Sequence, residues 1–177
     1  MKKIIAFGAS TSNNSINKIL ATYVAKLIQS NSEILDLNEF PAPIYSIDYE
    51  EVNGVPEAVK NFTYKIQSAD AIIISMAEHN GSYTAAFKNL FDWSSRFNAK
   101  IFENKKLLLL STSPGGRGGI SALEAAANRF PFHGAEIIDK FSLPFFDKNF
   151  KENKIIDADL HEILNSKLMN FKKVLEI

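Results

Sequence analysis

Short apolar runs alternate along the chain with longer stretches in which apolar residues recur at helical spacing. The runs are Lys3 to Gly8, Ser32 to Leu37, Ala71 to Ser75, Lys106 to Ser111 and Ala135 to Phe141. Three are near-continuous rather than alternating, as expected of parallel strands covered on both faces. Between the first two, Ser15 to Gln29 puts Ile16, Ile19, Leu20, Tyr23, Val24, Leu27 and Ile28 on one stripe, with Lys18, Thr22 and Lys26 outside it. Further helices are predicted over Ala58 to Ser68, with Pro56 in a first-turn place, and over Tyr83 to Phe97 and Ser121 to Phe130. The last runs from Asp157, a candidate N-cap, to Leu175. Such a series with right-handed crossovers gives a parallel sheet between two helical layers, an α/β three-layer sandwich. Five strands favour the order 2-1-3-4-5.

Composition narrows the class. At 177 residues without internal repeats, the expectation is one domain over 1–177. Lys+Arg and Asp+Glu are equal at 20 each, so the basic excess of a nucleic-acid binder is missing. With no cysteine, thiolate nucleophiles, zinc–thiolate sites and Cys-ligated clusters are excluded. The longest apolar runs are too short to span a bilayer. Met1-Lys2-Lys3 and Ile4 to Phe7 lead into a polar loop rather than a signal-peptide core, so a cytoplasmic location is expected.

In the order 2-1-3-4-5 the central neighbours are strands 1, 3 and 4, and ligands bind beyond their carboxyl ends. The loop after strand 1, Gly8 to Asn17, is dense in hydroxyls and amides and opens a helix. Ser10, Ser15 and Asn17 can there add donors to helix N–H groups around a phosphate. It holds no Walker sequence, no G-x-G-x-x-G and no Lys or Arg, which suits a monophosphate better than a triphosphate with magnesium. The loop after strand 3, Met76 to Tyr83, contains the turn pair Asn80-Gly81. The loop after strand 4, Ser111 to Gly119, carries four glycines in five positions, which would let a flat ring approach the backbone.

Together these segments resemble the NADPH-dependent FMN reductase family, which includes chromate, azo-dye and quinone reductases. The matching residues are G-x-S-x-x-x-x-S-x-N at Gly8 to Asn17, E-x-N-G-S-Y at Glu78 to Tyr83, continuing through Lys88-Asn89 and Asp92-Trp93 to Ser95-Arg96, and S-P-G-G-R-G-G at Ser113 to Gly119. The resemblance implies a flavodoxin-like fold and tightly bound FMN. Its phosphate would lie at Ser10, Ser15 and Asn17, with Ser12 and Ile16 also among the cofactor-binding residues. One edge of the isoalloxazine would face Glu78, His79 and Asn80, with Ala77 and Gly81 also among the cofactor-binding residues, and the other polar edge Ser113, Pro114, Gly115 and Gly116. Arg117 would add positive charge there, meet a nicotinamide phosphate, or be a solvated loop residue. Where the family often has Arg, this chain has Ser12, which bears on phosphate strength and NADPH preference. Ala77 and His79 replace the usual Pro and Tyr, which bears on ring stacking and acceptor choice.

The implied activity is hydride transfer from NADPH or NADH to the flavin and on to a quinone, azo compound, free flavin or similar small acceptor, in a ping-pong scheme. The flavin carries the chemistry, so no side chain is nominated as catalytic. His79 reads as a pocket-lining turn residue, and His133 and His161 lack partners at metal-ligand spacing. The aromatic stripe of Tyr83 to Phe97 is either core packing or a dimer face; the resemblance favours a homodimer or homotetramer. Asn38 to Gly54 is expected to border the site as a lid or dimer contact. The main alternative is a non-enzymatic flavodoxin-type electron carrier. A receiver-type regulator and a Ser hydrolase fit less well, for want of acidic strand ends and of G-x-S-x-G.

Overall fold

The computed structural model describes residues 2–28 and 31–177; Met1 and Gln29, on which the charged start and the first helix draw, lie outside the described residues. Five parallel strands form one sheet: β1 (Lys3–Gly8), β2 (Asn31–Leu35), β3 (Ala71–Met76), β4 (Lys106–Thr112) and β5 (Glu136–Leu143). Their order is β2-β1-β3-β4-β5, the predicted flavodoxin-like arrangement. The helices are α1 (Ile16–Ile28), α2 (Ile47–Asn53), α3 (Glu57–Gln67), α4 (Ala85–Phe97), α5 (Ile120–Arg129) and α6 (Ala158–Leu175).

The near-continuous apolar runs have a simple cause. Ile5 and Phe7, Ile72 and Ile74, and Leu107 and Leu109 pack with α3, α4 and α5. Their neighbours Ile4 and Ala6, Ala71 and Ile73, and Leu108 and Leu110 pack on the opposite face with α1 and α6. Side chains alternate across a strand, so a sheet with two covered faces needs apolar residues at every position.

Several boundaries move for local reasons. Leu37 is not in β2; Asp36 accepts from Asn38 N (2.9 Å) and caps a 3-10 turn over Leu37–Glu39. Pro56 stands at the N-cap itself, one residue before α3. Tyr83 lies outside α4, in a two-residue hairpin that pairs Glu78 with Tyr83 and His79 with Ser82. Asn80 (φ 52°) and Gly81 (φ 76°) turn it. Thr84 then caps α4, accepting from Phe87 N at 3.2 Å. β5 starts one residue later and ends two residues further on than expected, at Glu136 and Leu143. Asp157 caps α6 as predicted, accepting from Leu160 N at 3.0 Å.

The aromatic stripe of α4 is core. Phe87, Leu90, Phe91 and Trp93 are buried within the chain. The segment before α3 covers the surplus: Trp93 Nε1 donates to Pro43 O (2.8 Å), and the Tyr45 and Tyr49 rings meet Trp93 edge-on at 4.9 and 6.0 Å. Asn89 Oδ1 accepts from Tyr45 N (2.9 Å), and its amide donates to Pro43 O (2.9 Å). Among the described large apolar residues the most exposed are on that covering segment, Ile44 at 88% and Val52 at 82%.

Candidate active site

Strand register brings the three loops to one edge. Gly8 is opposite Ser75, Met76 opposite Ser111, and Thr112 opposite Leu143. Beyond this edge lies a cavity of about 310 Å³ lined by Ser10, Ser12, Asn14, Ser15, Ile16, Asn17, Ala77, Glu78, His79, Thr112, Ser113 and Pro114. An adjoining hollow shares Ser10, Ser12 and His79 and extends over Thr84, Ala85 and Ala86. From Thr11 and Ala86 the trough continues to Asn38, Phe40, Pro41 and Ala42, so the start of the Asn38–Gly54 segment borders it. Asn14 and Thr112 line the cavity although neither is a conspicuous motif position; Thr112 simply follows an apolar run.

The first loop delivers donors. A Cβ on Gly8 would stand 2.7 Å from the Asn17 carbonyl carbon, so only glycine lets α1 start directly over β1. Ser15 is buried and caps α1, its Oγ accepting from Lys18 N at 3.2 Å. That bond uses the oxygen and leaves the hydroxyl hydrogen to donate. The Ile16 and Asn17 N–H groups belong to the first turn, where an α-helix supplies no internal acceptor. No Lys or Arg lines this cavity. Lys18 Nζ instead pairs with Asp36, and this bond, with the Asn38 N–H, holds the Asp36 carboxyl below its usual range.

Asn17 is placed differently from the expectation of a phosphate-contacting side chain. Its Oδ1 accepts from Ser75 Oγ (2.7 Å) and Thr112 N (3.1 Å), and its Nδ2 donates to Thr112 O (3.1 Å). These buried bonds tie α1 to the ends of β3 and β4. One Nδ2 hydrogen and the backbone N–H remain without a protein acceptor.

In the second loop, Ala77 and His79 line the cavity, while Asn80 and Gly81 form the exposed turn outside its lining. Glu78 Oε2 accepts from Ala122 N at 3.0 Å, in the first turn of α5. The α5 cap residue, Gly119, has no side chain to do this, so Glu78 caps the helix from another loop and complements its dipole. Tyr83 is half-buried, and burial pushes its phenol up to about 12 against the opposing charge of Arg129, so it stays a neutral wall.

The third loop is split. Ser113 and Pro114 line the cavity; Gly115, Gly116 and Arg117 do not. The flat ring that approaches the glycines belongs to the chain itself: a Cβ on Gly116 would lie 2.7 Å from Phe145 Cζ. Phe145 N donates to Gly115 O (3.0 Å) and Phe146 N to Ser113 O (3.1 Å), fixing the loop to the segment after β5. Arg117 is exposed, its Nη2 donating to Ser121 Oγ at 2.8 Å.

The chain is similar to known proteins in sequence and in fold. The chain is 25% identical over 167 residues to a quinone reductase of Escherichia coli K12, covering 92% of this chain and 85% of that protein. It is 28% identical over 123 residues to an NADPH azoreductase of Bacillus sp. OY1-2, covering 70% and 65%. The fold matches that of FerB, a flavoenzyme NAD(P)H:(acceptor) oxidoreductase from Paracoccus denitrificans, with a TM-score of 0.74 at 22% identity and 98% of each chain covered. The sequence profile of the NADPH-dependent FMN reductases matches residues 2–163, nearly the whole chain. It is to this family, and so to the NAD(P)H-dependent flavin oxidoreductases, that the chain belongs.

Proposed function

We propose that the cavity holds FMN tightly and that the enzyme passes reducing equivalents from NADPH or NADH to a quinone or azo acceptor. The observation that carries this reading is the convergence of Ser10, Ser12, Ser15 and the first turn of α1 on a cavity also bounded by the loops after β3 and β4. The donor set fits a phosphate: a hydroxyl hydrogen from Ser15 and N–H groups of Ile16 and Asn17, in the positive field of a helix N-terminus. The absence of a cation from the lining suits a single phosphate rather than a triphosphate with metal.

When bound, FMN supplies the hydride acceptance and donation. The protein's share is orientation and access. Ala77 and His79 on one side and Ser113 and Pro114 on the other define the slot for a flat ring. Glu78 holds these two walls together through α5, and Asn17 holds both to the phosphate loop. The open trough over Thr84, Ala85 and Ala86 gives nicotinamide and acceptor a common approach, so one must leave before the other enters. No side chain is required to move a proton. The enzyme is proposed to work in the cytoplasm as a homodimer or homotetramer, with Ile44 and Val52 as its contact.

Initial rates with NADPH and a simple quinone test the scheme. Double-reciprocal plots are expected to be parallel; intersecting lines would show that both substrates occupy the trough together. Absence of NADPH or NADH oxidation with every acceptor would leave only the electron-carrier reading.

A further inference from the structure

On the far side of the phosphate loop, along the outer face of α1, runs a second groove of about 360 Å³. It shares Asn14 and Ser15 with the phosphate cavity, so the two are continuous around the start of the helix. From there it follows Lys18, Ile19, Thr22, Tyr23 and Lys26, about 16 Å of helix from Ser15. Its other wall is the hairpin Phe150–Lys151 and Lys154–Ile155, turned by Glu152 (φ 49°) and Asn153 (φ 59°). That turn sets the Asn153 amide on the rim and Phe150 beneath it, where Phe150 meets the Tyr23 ring edge-on at 5.3 Å.

Beyond Asn14 and Ser15, nothing in the flavin reduction uses these residues, yet their chemistry is specific. Ile19, 40% exposed, with Tyr23 and Phe150 offers an apolar and aromatic surface for a flat ring. Asn13, Asn14 and Asn153 carry amides with a donor and an acceptor each, suited to the edge of a base or to ribose hydroxyls. Lys18 is neutralised by Asp36, but Lys26 has no ion-pair partner among the described residues and supplies a cation at the far end. A quinone or an azo dye has no use for this combination. An adenosine phosphate uses all of it, and the groove's volume is within the range of small-molecule sites.

We infer that this groove binds an adenosine phosphate moiety whose phosphate chain passes Asn14 and Ser15 from the flavin phosphate site. The inference rests on the proposed phosphate site. Two molecules present this chemistry: FAD, whose adenylate continues from the flavin's own phosphate, and NAD(P)H, whose adenylate would enter separately.

The test is equilibrium binding, with no turnover. FMN and FAD are titrated into flavin-free protein, and ADP into both flavin-free and FMN-loaded protein, for wild type, Ile19→Trp and Lys26→Glu. Both positions are exposed, so neither variant disturbs the core. One fills the groove and the other reverses its cation. If the adenylate is that of FAD, both variants weaken FAD by at least about tenfold while FMN affinity stays at the wild-type value. If it is that of NAD(P)H, the same loss is seen for ADP on FMN-loaded protein. The inference is overturned if neither variant changes FAD or ADP binding, or if wild type binds neither. Failure of FMN alone, with ADP still bound by flavin-free protein and lost in both variants, would remove the flavin site and leave the adenylate groove.

Discussion

In the first loop, Ser15 caps α1 through its oxygen and keeps its hydrogen for the cavity, while the N–H groups of Ile16 and Asn17 stay open. In the third loop, glycine carbonyls are already engaged by the chain itself. The Phe145 ring stands beside Gly116, Gly115 O accepts from two backbone donors, and Gly118 O accepts from Ser142 Oγ at 3.0 Å. The polar loop therefore keeps donors free at the cavity, and the glycine-rich loop is tied to the segment after β5. Its contribution to the cavity comes from Ser113 and Pro114, the two residues before the glycines. A glycine-rich loop at a binding edge can thus be a packing solution for its own chain.

The largest effect should come from the residue that joins the two loops. Asn17→Leu leaves Ser75 Oγ and both Thr112 backbone groups without partners in a buried place, at a cost of about 3 kcal/mol or more. Chemical denaturation should show that loss, with FMN binding falling alongside it. An intact stability would mean the clamp is not what aligns the loops.

Next, Ser15→Asp places a charge against the phosphate and should weaken FMN roughly 30-fold, about 2 kcal/mol. Riboflavin, which lacks the phosphate, should lose much less. Equal losses for the two ligands would put the phosphate elsewhere. For the third loop the comparison predicts a change in stability rather than in binding. Gly116→Ala meets the Phe145 ring and should cost about 1 kcal/mol, with FMN affinity near wild type. Adding Phe145→Ala should relieve that cost in the double variant. A Gly116→Ala protein that is stable but loses FMN would restore the glycines as a ring-contacting surface.

The smallest effect is on pH dependence. Asp36 is held below its usual range by Lys18 and Asn38. Burial pushes Asp139 up, but hydrogen bonds from Lys167, Asn170 and Lys140 N outweigh it and leave it lowered as well. A carboxyl lowered by folding contributes stability above its unfolded pKa and loses it as pH falls through the folded one. Thermal midpoints should therefore drop below about pH 4. The drop should be shallower in Asp36→Asn and Asp139→Asn, whereas an unchanged acid slope would remove both groups from the account.

What could be read from the chain and what could not divide along the same physical line. The strands, the helical stripes, the Asp157 cap and the Asn80-Gly81 turn depend on residues close in sequence, so local patterns report them. The cap at the first loop was legible for this reason, since Ser15 and the helix it caps are contiguous. The roles of Asn17, Glu78 and Gly116 depend on partners far along the chain. Asn17 bonds residues 58 and 95 positions away, and Glu78 reaches a helix 44 positions on. Strand order could be anticipated, but not which polar atom would face which across the sheet edge. The aromatic excess of α4 has the same explanation, because the segment that buries Trp93 begins some 50 residues earlier.

The central claim is that the hydroxyl-rich first loop and its neighbours hold a flavin that nicotinamide reduces. Its most direct test is the visible absorption spectrum of the purified protein after FMN reconstitution and removal of free flavin, followed by anaerobic addition of NADPH or NADH. A retained, perturbed flavin band that disappears on addition is the predicted result. Protein that emerges without flavin, or a bound band that neither nucleotide changes, would contradict it.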